Sequence, residues 1–462
     1  MQQIILKRGL NIPMDGKAEL TLGSVNRPEV FKIVPDHFAG ITPKLDVKVG
    51  DKVKAGSPLF HDKTFEEMLF TSPVSGTVQE IVRGDRRKIM SINILADAKI
   101  EYEKFTVDNG ASEHSEKCTS ESVKTLLLKS GLWPLIMQRP YACIALPNKE
   151  PQAIFISTFC SAPLAPDYEW VLKGQGAILQ AAVTALSKIA TVYVGIQAGA
   201  AAPEFRGLKD CVLYEVAGAH PAGNPSVQIN HIRPMKQGET IWTIGIQNLA
   251  IIGRLFAKGI VDMQKKVALA GPMAYGRQYY NVLPGMPVSA ILAANYHKEV
   301  PCRFIAGNAL DGHQVAMDDI MSIYTNLYTV IGEGTDIHEF MGWIIPRCGS
   351  FHFGFTDPSK FCDNAIYRWL FGNRTYNWDA RLKGGRRAII VSGEYDKVFP
   401  MDIYPEYLIK AMIAGNLDKM EQLGACEVAP EDFALCEYVC TSKMPLQAIV
   451  RQALDNMRKE IE

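Results

Sequence analysis

The punctuation of this chain changes along its length, and no single repeating architecture can accommodate it. Between residues 28 and 100 the apolar runs are short, and turn residues interrupt them about every 8–12 positions. Val30-Phe31-Lys32-Ile33-Val34 alternates until Pro35, Gly50-Asp51 separates Val47-Lys48-Val49 from Lys52-Val53, and Ser72-Pro73-Val74-Ser75-Gly76 leads into Thr77-Val78. Pro lacks the N–H a strand ladder needs and Gly favours turns, so the segment predicts a small all-β module. From about residue 140 to 260 the period changes. Ala142–Leu146, Ala153–Thr158, Thr191–Ile196, Cys211–Val216 and Thr240–Ile244 are apolar or β-branched runs. Between them Leu179, Ala182, Val183, Leu186 and Ile189 recur at helical spacing, as do Leu249, Ile252, Leu255 and Phe256 ahead of Gly259. That alternation predicts an open α/β domain with a largely parallel sheet.

The remainder divides along the same lines. Residues 101–118 are polar and mixed and read as a linker, after which Ser120 can cap a helix running to Lys129. Residues 265–350 return to short strands, with turns at Gly271-Pro272, Leu283-Pro284-Gly285 and Gly332-Glu333-Gly334, and predict a small α+β module. After about 355 the pattern is helical: Pro405–Ala414, Pro430–Cys440 and Pro445–Ile461 each carry Pro near the first turn. The expected fold class is therefore α/β and α+β multidomain, divided into 1–105, 106–262, 263–352 and 353–462.

Composition removes several function classes. Lys plus Arg and Asp plus Glu both number 49, giving a formal charge of zero. A nucleic-acid binder normally carries a basic excess, so no nucleic-acid partner is expected. The ten cysteines are scattered and many lie in apolar stretches, which suits reduced, buried thiols in a cytosolic protein. Met1-Gln2-Gln3-Ile4-Ile5-Leu6-Lys7-Arg8 has neither the basic start nor the long apolar core of a signal peptide. The longest charge-free apolar runs, near 174–187, 189–203 and 240–253, all stop short of the roughly 18 residues a membrane span needs. Membrane association is expected to be peripheral.

Familiar cofactor motifs are missing. Gly174-Gln175-Gly176-Ala177 opens a helix but has no third glycine and no preceding strand, so it does not make a dinucleotide fingerprint. No phosphate loop, nucleophile elbow or zinc helix is present. Two features stand out among the reactive residues. His220 lies in Gly218-Ala219-His220-Pro221-Ala222-Gly223, just past the predicted strand Cys211–Val216, where α/β sheets place ligands; a turn histidine bonded to backbone explains it as well. Cys436 and Cys440 share a helical face, with Cys426 ten residues upstream. That spacing cannot complete a four-thiolate iron–sulfur site, and structural packing accounts for it. The basic clusters Arg83-Gly84-Asp85-Arg86-Arg87-Lys88 and Gly384-Gly385-Arg386-Arg387 read as solvated turns. No residue is given a catalytic, cofactor-binding or metal-binding role from the sequence.

Two resemblances extend this reading. Val49-Gly50-Asp51-Lys52-Val53-Lys54-Ala55-Gly56, followed by Ser72-Pro73-Val74-Ser75-Gly76-Thr77-Val78, resembles the biotinyl/lipoyl barrel-sandwich domain. Lys63 is off-centre for the modifiable lysine of that fold and reads as a surface residue. Over the whole chain, Lys7-Arg8-Gly9-Leu10-Asn11-Ile12-Pro13, Lys173-Gly174-Gln175, Gly218-Ala219-His220-Pro221-Ala222-Gly223, Ala270-Gly271-Pro272 and Ala434-Leu435-Cys436-Glu437-Tyr438-Val439-Cys440 occur in order. Together they resemble the A subunit of the sodium-translocating NADH:quinone oxidoreductase family. The resemblance implies four modules: biotinyl/lipoyl-like, Rossmann-like α/β, β-grasp-like (SLBB) and C-terminal helical. It implies a peripheral subunit on the cytoplasmic face of the bacterial inner membrane, with five partner subunits (B to F) and membrane contact through those partners. It further implies relatives in the C subunit of Rnf complexes and in the FMN- and NADH-binding subunit of complex I. NADH, FAD, FMN and iron–sulfur centres are expected in the partners, and no cofactor is expected to bind tightly to this chain. A contribution to the ubiquinone site is expected without assigned residues. The alternatives are an Rnf-like electron-transfer subunit with its own FMN and cluster, and a carrier protein modified at Lys63.

Overall fold

The computed structural model describes residues 2–107, 119–236, 238–335, 375–382 and 385–461. Most of the linker, Gly384, Cys118, Cys348 and Cys362 lie outside the described residues. Among the described residues the strands form four sheets.

Two small antiparallel sheets make the β module. One orders Val30–Ile33, Ile89–Ala96, Gly76–Arg83 and Lys52–Val53; the other orders Pro43–Leu45, Pro58–Asp62 and Leu69–Thr71. The two sheets bury Phe31, Val53, Leu59, Phe60, Phe70, Val78, Ile92 and Ile94, with Leu59 and Phe60 covered on opposite faces of their strand. Phe60 stacks on Phe70 with centroids 4.6 Å apart.

The α/β domain carries a seven-stranded sheet. Val212–Ala217, Thr191–Gln197, Ala153–Ser157 and Ile241–Ile244 run parallel in that spatial order. All four belong to runs the sequence marked as strands. Ile136–Arg139 and Cys143–Ile144 extend the sheet antiparallel at one edge. Ile136–Arg139 was not legible in the sequence, because Trp133-Pro134-Leu135 folds as a 3-10 turn immediately ahead of it. The helix Ile246–Lys258 ends on Gly259 in the left-handed region, as its sequence predicts. It crosses Gly176–Leu186 so closely that a Cβ on Gly253 would stand 2.1 Å from the Ile178 carbonyl oxygen. The helix Ser120–Lys129 has the expected span, but Thr119 is its cap. The Thr119 hydroxyl accepts from the Ser122 N–H, and the Ser122 hydroxyl accepts from the Thr119 N–H.

The N-terminal segment does not stay with the β module it precedes. Gln2–Ile5 adds a parallel strand beside Val212–Ala217, and Leu22–Gly23 joins the third sheet beside Tyr279–Val282. That third, six-stranded sheet is mixed, with Lys265–Ala270 parallel to Leu327–Gly332 and antiparallel to Tyr279–Val282. The C-terminal region is helical: Glu394–Val398, Pro405–Ile413, Leu417–Gln422, Ala434–Val439 and Leu446–Ile461. The predicted helix Pro430–Cys440 divides into the 3-10 turn Pro430–Phe433 and the short helix Ala434–Val439.

Candidate functional site

Strand order alone marks one place on the large sheet. From Ala153–Ser157 the chain winds outward through Thr191–Gln197 to Val212–Ala217. It then returns to lay Ile241–Ile244 on the other side of Ala153–Ser157. Where winding reverses, the loops leaving the carboxyl ends of neighbouring strands part and leave a crevice. Thr158-Phe159-Cys160-Ser161 follows the first of these strands. The facing wall comes from the mixed sheet, through the turn between Cys302–Ala306 and His313–Val315 and the segment 322–327. Together they enclose a cavity of about 430 Å³.

The facing turn is internally braced. Gly307 has φ 109°, and a Cβ there would lie 2.9 Å from the Gly312 Cα. Asn308 accepts from the N–H groups of Leu310 (2.8 Å) and Asp311 (3.2 Å) and donates to the Asp311 carboxylate at 2.6 Å. The protein packed around Asp311, and secondly the Glu431 carboxylate, push its carboxyl above the ordinary range. Asp311 keeps contact with water at the cavity mouth, which limits that rise. Burial pushes the Cys160 thiol up to about 11. Burial also raises the Tyr168 phenol, which hydrogen-bonds the Asn326 side chain. His37 is held below its ordinary value by burial and then by His313. At neutral pH the cavity therefore presents a thiol, a phenol and an imidazole in uncharged form. Such a lining suits a neutral ring with hydrogen-bonding groups better than a phosphate. His37 and Tyr324 also border a second, larger cavity of about 920 Å³.

The loop that most resembles a nucleotide fingerprint is already occupied. Gly174, at φ 78°, donates its N–H to the Glu204 carboxylate at 2.7 Å. A phosphate seeking that amide would meet a negative charge, so the residues do not fit a dinucleotide there.

His220 lies at the same end of the sheet, and its contacts are structural. It is buried, and its Nδ1 lies 3.0 Å from the Ser161 hydroxyl, which itself accepts from the Gly223 N–H at 2.8 Å. Burial lowers the His220 pKa to about 4, so the imidazole that meets Ser161 is neutral at pH 7. Its N–H donates to the Asn11 side chain at 3.0 Å, and its carbonyl accepts from the Leu10 N–H at 2.9 Å. His220 thus ties the N-terminal segment to the loop. Gly9 is required there, since a Cβ would stand 2.4 Å from the His220 carbonyl oxygen.

Cys436 and Cys440 are both buried. The Cys440 sulfur lies 2.9 Å from the Tyr395 hydroxyl and accepts from the Met444 N–H at 3.4 Å; burial raises the Cys436 thiol. Cys426 is only partly buried and stands in a separate surface hollow beside Glu421 and Glu427. Among the described residues no group of three or more His, Cys, Asp or Glu side chains is placed to hold a metal. Lys63 is exposed in the loop between Pro58–Asp62 and Leu69–Thr71. The turn at 83–88 is exposed, with Arg86 and Arg87 at φ 52° and 61° and Lys88 paired with Asp36 at 2.6 Å. Arg386 and Arg387 are exposed as well. Sequence reasoning missed Cys160, Tyr168 and Asp311. A winding reversal at Ala153–Ser157 would have pointed to Cys160 and, at the end of the same loop, to Tyr168, whereas Asp311 comes from a distant segment.

The fold thus defines a multidomain α/β protein built from a two-sheet β module, an open parallel-sheet domain, a mixed sheet and a helical end, without a nucleotide fingerprint. Comparison with known proteins narrows this. Residues 4–97 match the NqrA N-terminal barrel-sandwich hybrid domain, and residues 118–261 match the NqrA second alpha/beta domain. The A subunit of the Na(+)-translocating NADH-quinone reductase of Pasteurella multocida is 32% identical over 99% of this chain and 100% of its own length. That of Neisseria meningitidis serogroup A is 31% identical over the same shares. The chain belongs to the NqrA family, the A subunits of Na(+)-translocating NADH-quinone reductases. A crystal structure of NAD+-reducing [NiFe]-hydrogenase in the air-oxidized state aligns over 78% of this chain and 68% of that one, with TM-score 0.36 and 11% identity, too slight a likeness to carry an argument. No described helix is long and apolar enough to cross a membrane.

Proposed function

We propose that this chain is the peripheral, cytoplasm-facing A subunit of a sodium-pumping NADH:ubiquinone reductase of the bacterial inner membrane. In this reading it is a scaffold divided near residues 105, 262 and 352. It carries no tightly bound redox group of its own, while five partner subunits hold the NADH site, the flavins and the iron–sulfur centres and make the membrane contact. It contributes to the quinone site through the crevice at the carboxyl end of the parallel strands. The observation that carries the reading is the end-to-end match, at 32% identity, to the A subunit of a Na(+)-translocating NADH-quinone reductase. The uncharged Cys160, Tyr168 and His37 side chains, in a lining that also holds the Asp36 and Asp311 carboxyls, support the quinone element, because a quinone ring is neutral and accepts hydrogen bonds at its carbonyl oxygens.

Two measurements on the purified chain test this. The chain is expected to be colourless, and stoichiometric iron or bound-flavin fluorescence overturns the cofactor-free element. A short-chain ubiquinone is expected to bind the chain, and Tyr168→Leu with Cys160→Leu to weaken that binding at least tenfold. Equal binding removes the crevice from the quinone site.

A further inference from the structure

Two consecutive helices of the C-terminal region share an open groove of about 830 Å³. Pro405–Ile413 buries Leu408, Ile409 and Met412 on its inner face. Tyr404, just ahead of that helix, and Tyr407, Lys410, Ala411 and Ala414 line the groove. The last four recur at i, i+3, i+4 and i+7, so they form one stripe along the helix. Gly415, at φ 65°, donates to the Met412 carbonyl and closes the turn. Asn416 then caps Leu417–Gln422, which brings Lys419 to the groove.

The aromatic wall of this groove stands in solvent. Tyr404 is 68% exposed and Tyr407 56%, and their rings meet edge to face with centroids 6.1 Å apart. Neither hydroxyl bonds to another described residue. Folding gains little from rings left in water, whereas an interface gains much, because a tyrosine brings a large apolar area and a polar tip at low entropic cost. Charge in the lining has one sign. Lys410 and Lys419 line the groove without a carboxylate, and neither forms an ion pair with a described residue. Asp418 and Glu421, on the same short helix as Lys419, line the separate hollow beside Cys426 instead.

We propose that this groove docks an acidic amphipathic helix of a partner subunit, which sets its apolar side chains against Tyr404, Tyr407 and the two alanines and its carboxylates beside Lys410 and Lys419. Both walls are helices, whose backbone groups bond within the helix, so the groove offers side chains alone and no edge to which a strand could add. A helix arrives with its own backbone satisfied, and the small side chains of Ala411 and Ala414 let it approach closely. The two lysines select the charge of the partner. A bilayer surface is flat and does not follow a concave groove between two helices. The inference rests on the reading of this chain as one subunit of a larger complex.

The test uses the assembled complex purified from membranes. A photoreactive benzoylphenylalanine in place of Tyr404 is expected, on irradiation, to give one covalent adduct with a partner subunit. Mass spectrometry of the cross-linked peptide is expected to show Asp or Glu within one helical turn of the cross-link. Lys410→Glu with Lys419→Glu is expected to reduce the adduct at least tenfold. Ala414→Trp, at an exposed position, fills the groove without altering its charge and is expected to reduce the adduct at least fivefold. Cross-linking by both variants at the level of the unaltered lining overturns the groove. A complex that retains this chain but yields a lipid adduct, an adduct with a second copy of this chain, or none overturns it as well, and leaves the reading as a subunit standing. Failure of the unmodified chain to co-purify with partner subunits overturns that reading and the groove with it.

Discussion

Inside the seven-stranded sheet, Phe155 stacks on Tyr193 at 4.8 Å, and Ile154, Ile156, Val192 and Val194 are buried with no polar group among them. Where the same domain meets the C-terminal helices, the buried side chains include Arg139, Asn224 and Asp432. Arg139 pairs with Glu431 at 2.9 Å and donates to the Ser226 hydroxyl at 3.1 Å. Asn224 donates to Asp432 at 3.0 Å, and Asp432 also accepts from the Ala429 N–H at 2.8 Å. Arg451 and Gln447 reach across to the carbonyls of Tyr141, Ala142 and Leu310. Apolar area fixes no unique register between two surfaces, whereas directional bonds do. The sheet is therefore held by burial and the seam by fixed geometry, and the seam is the more vulnerable to loss of a single group.

The sharpest way to break that comparison is to remove one charge from the seam. Arg139→Met leaves Asp432 buried without its neighbouring cation, and the expected loss is about 3–4 kcal/mol in urea unfolding. Leu249→Ala, in a fully buried position of the helix Ile246–Lys258, is expected to cost slightly less, about 3 kcal/mol. A smaller effect of Arg139→Met than of Leu249→Ala would mean that the seam is not the weaker join.

Acidity separates two buried groups by sign. His220 is buried neutral with its pKa lowered to about 4, so the unfolded chain binds its proton more readily. Its contribution is present above pH 6.5 and is lost as pH falls towards 4, by on the order of 2–3 kcal/mol. Asp432 is raised to about 6, mainly by burial, so its contribution is present below pH 4 and fades as pH rises through 6. Stability measured from pH 7 to 4 should therefore fall less steeply in His220→Asn than in the unaltered chain. It should fall more steeply in Asp432→Asn. Parallel curves for all three chains would remove both groups from the pH response.

Two smaller changes sharpen the contrast within each region. Cys436→Ser puts a poorly paired hydroxyl into an apolar site and is expected to cost about 1–3 kcal/mol by thermal unfolding, with turnover of the assembled complex intact. Lost electron transfer in a correctly assembled complex would give these thiols a chemical role. In the sheet core, Trp133 and Trp242 meet edge to face at 5.2 Å. Trp133 Nε1 donates to the Ala145 carbonyl at 2.7 Å, whereas Trp242 Nε1 has no partner among the described residues. Trp133→Phe should therefore cost about 1 kcal/mol more than Trp242→Phe, since only the first breaks a bond.

The local rules were legible in the chain itself. Strands appeared where β-branched runs met Gly or Pro, and Gly259 stopped its helix because a left-handed residue closes the last turn without a Cβ clash. The full-length family pattern was legible too, because the motifs follow one another in sequence order. The sequence also placed His220 at the carboxyl end of a parallel strand. It left open what the imidazole does there, and burial with the Ser161 contact settles it as a tie between loop and N-terminus. Other features needed the tertiary structure. Gln2–Ile5 leaves its neighbours in sequence to pair with residues more than 200 positions away, and no local propensity encodes that partner. Asp311 faces Cys160 and Tyr168 only because the mixed sheet packs against the crevice, and Arg451 meets the carbonyls of Tyr141 and Ala142 only because the last helix packs beside that edge. Periodicity and turn chemistry act over a few residues and are written in the sequence; burial, charge environment and sheet order depend on contacts between distant segments, and folding alone brings those together.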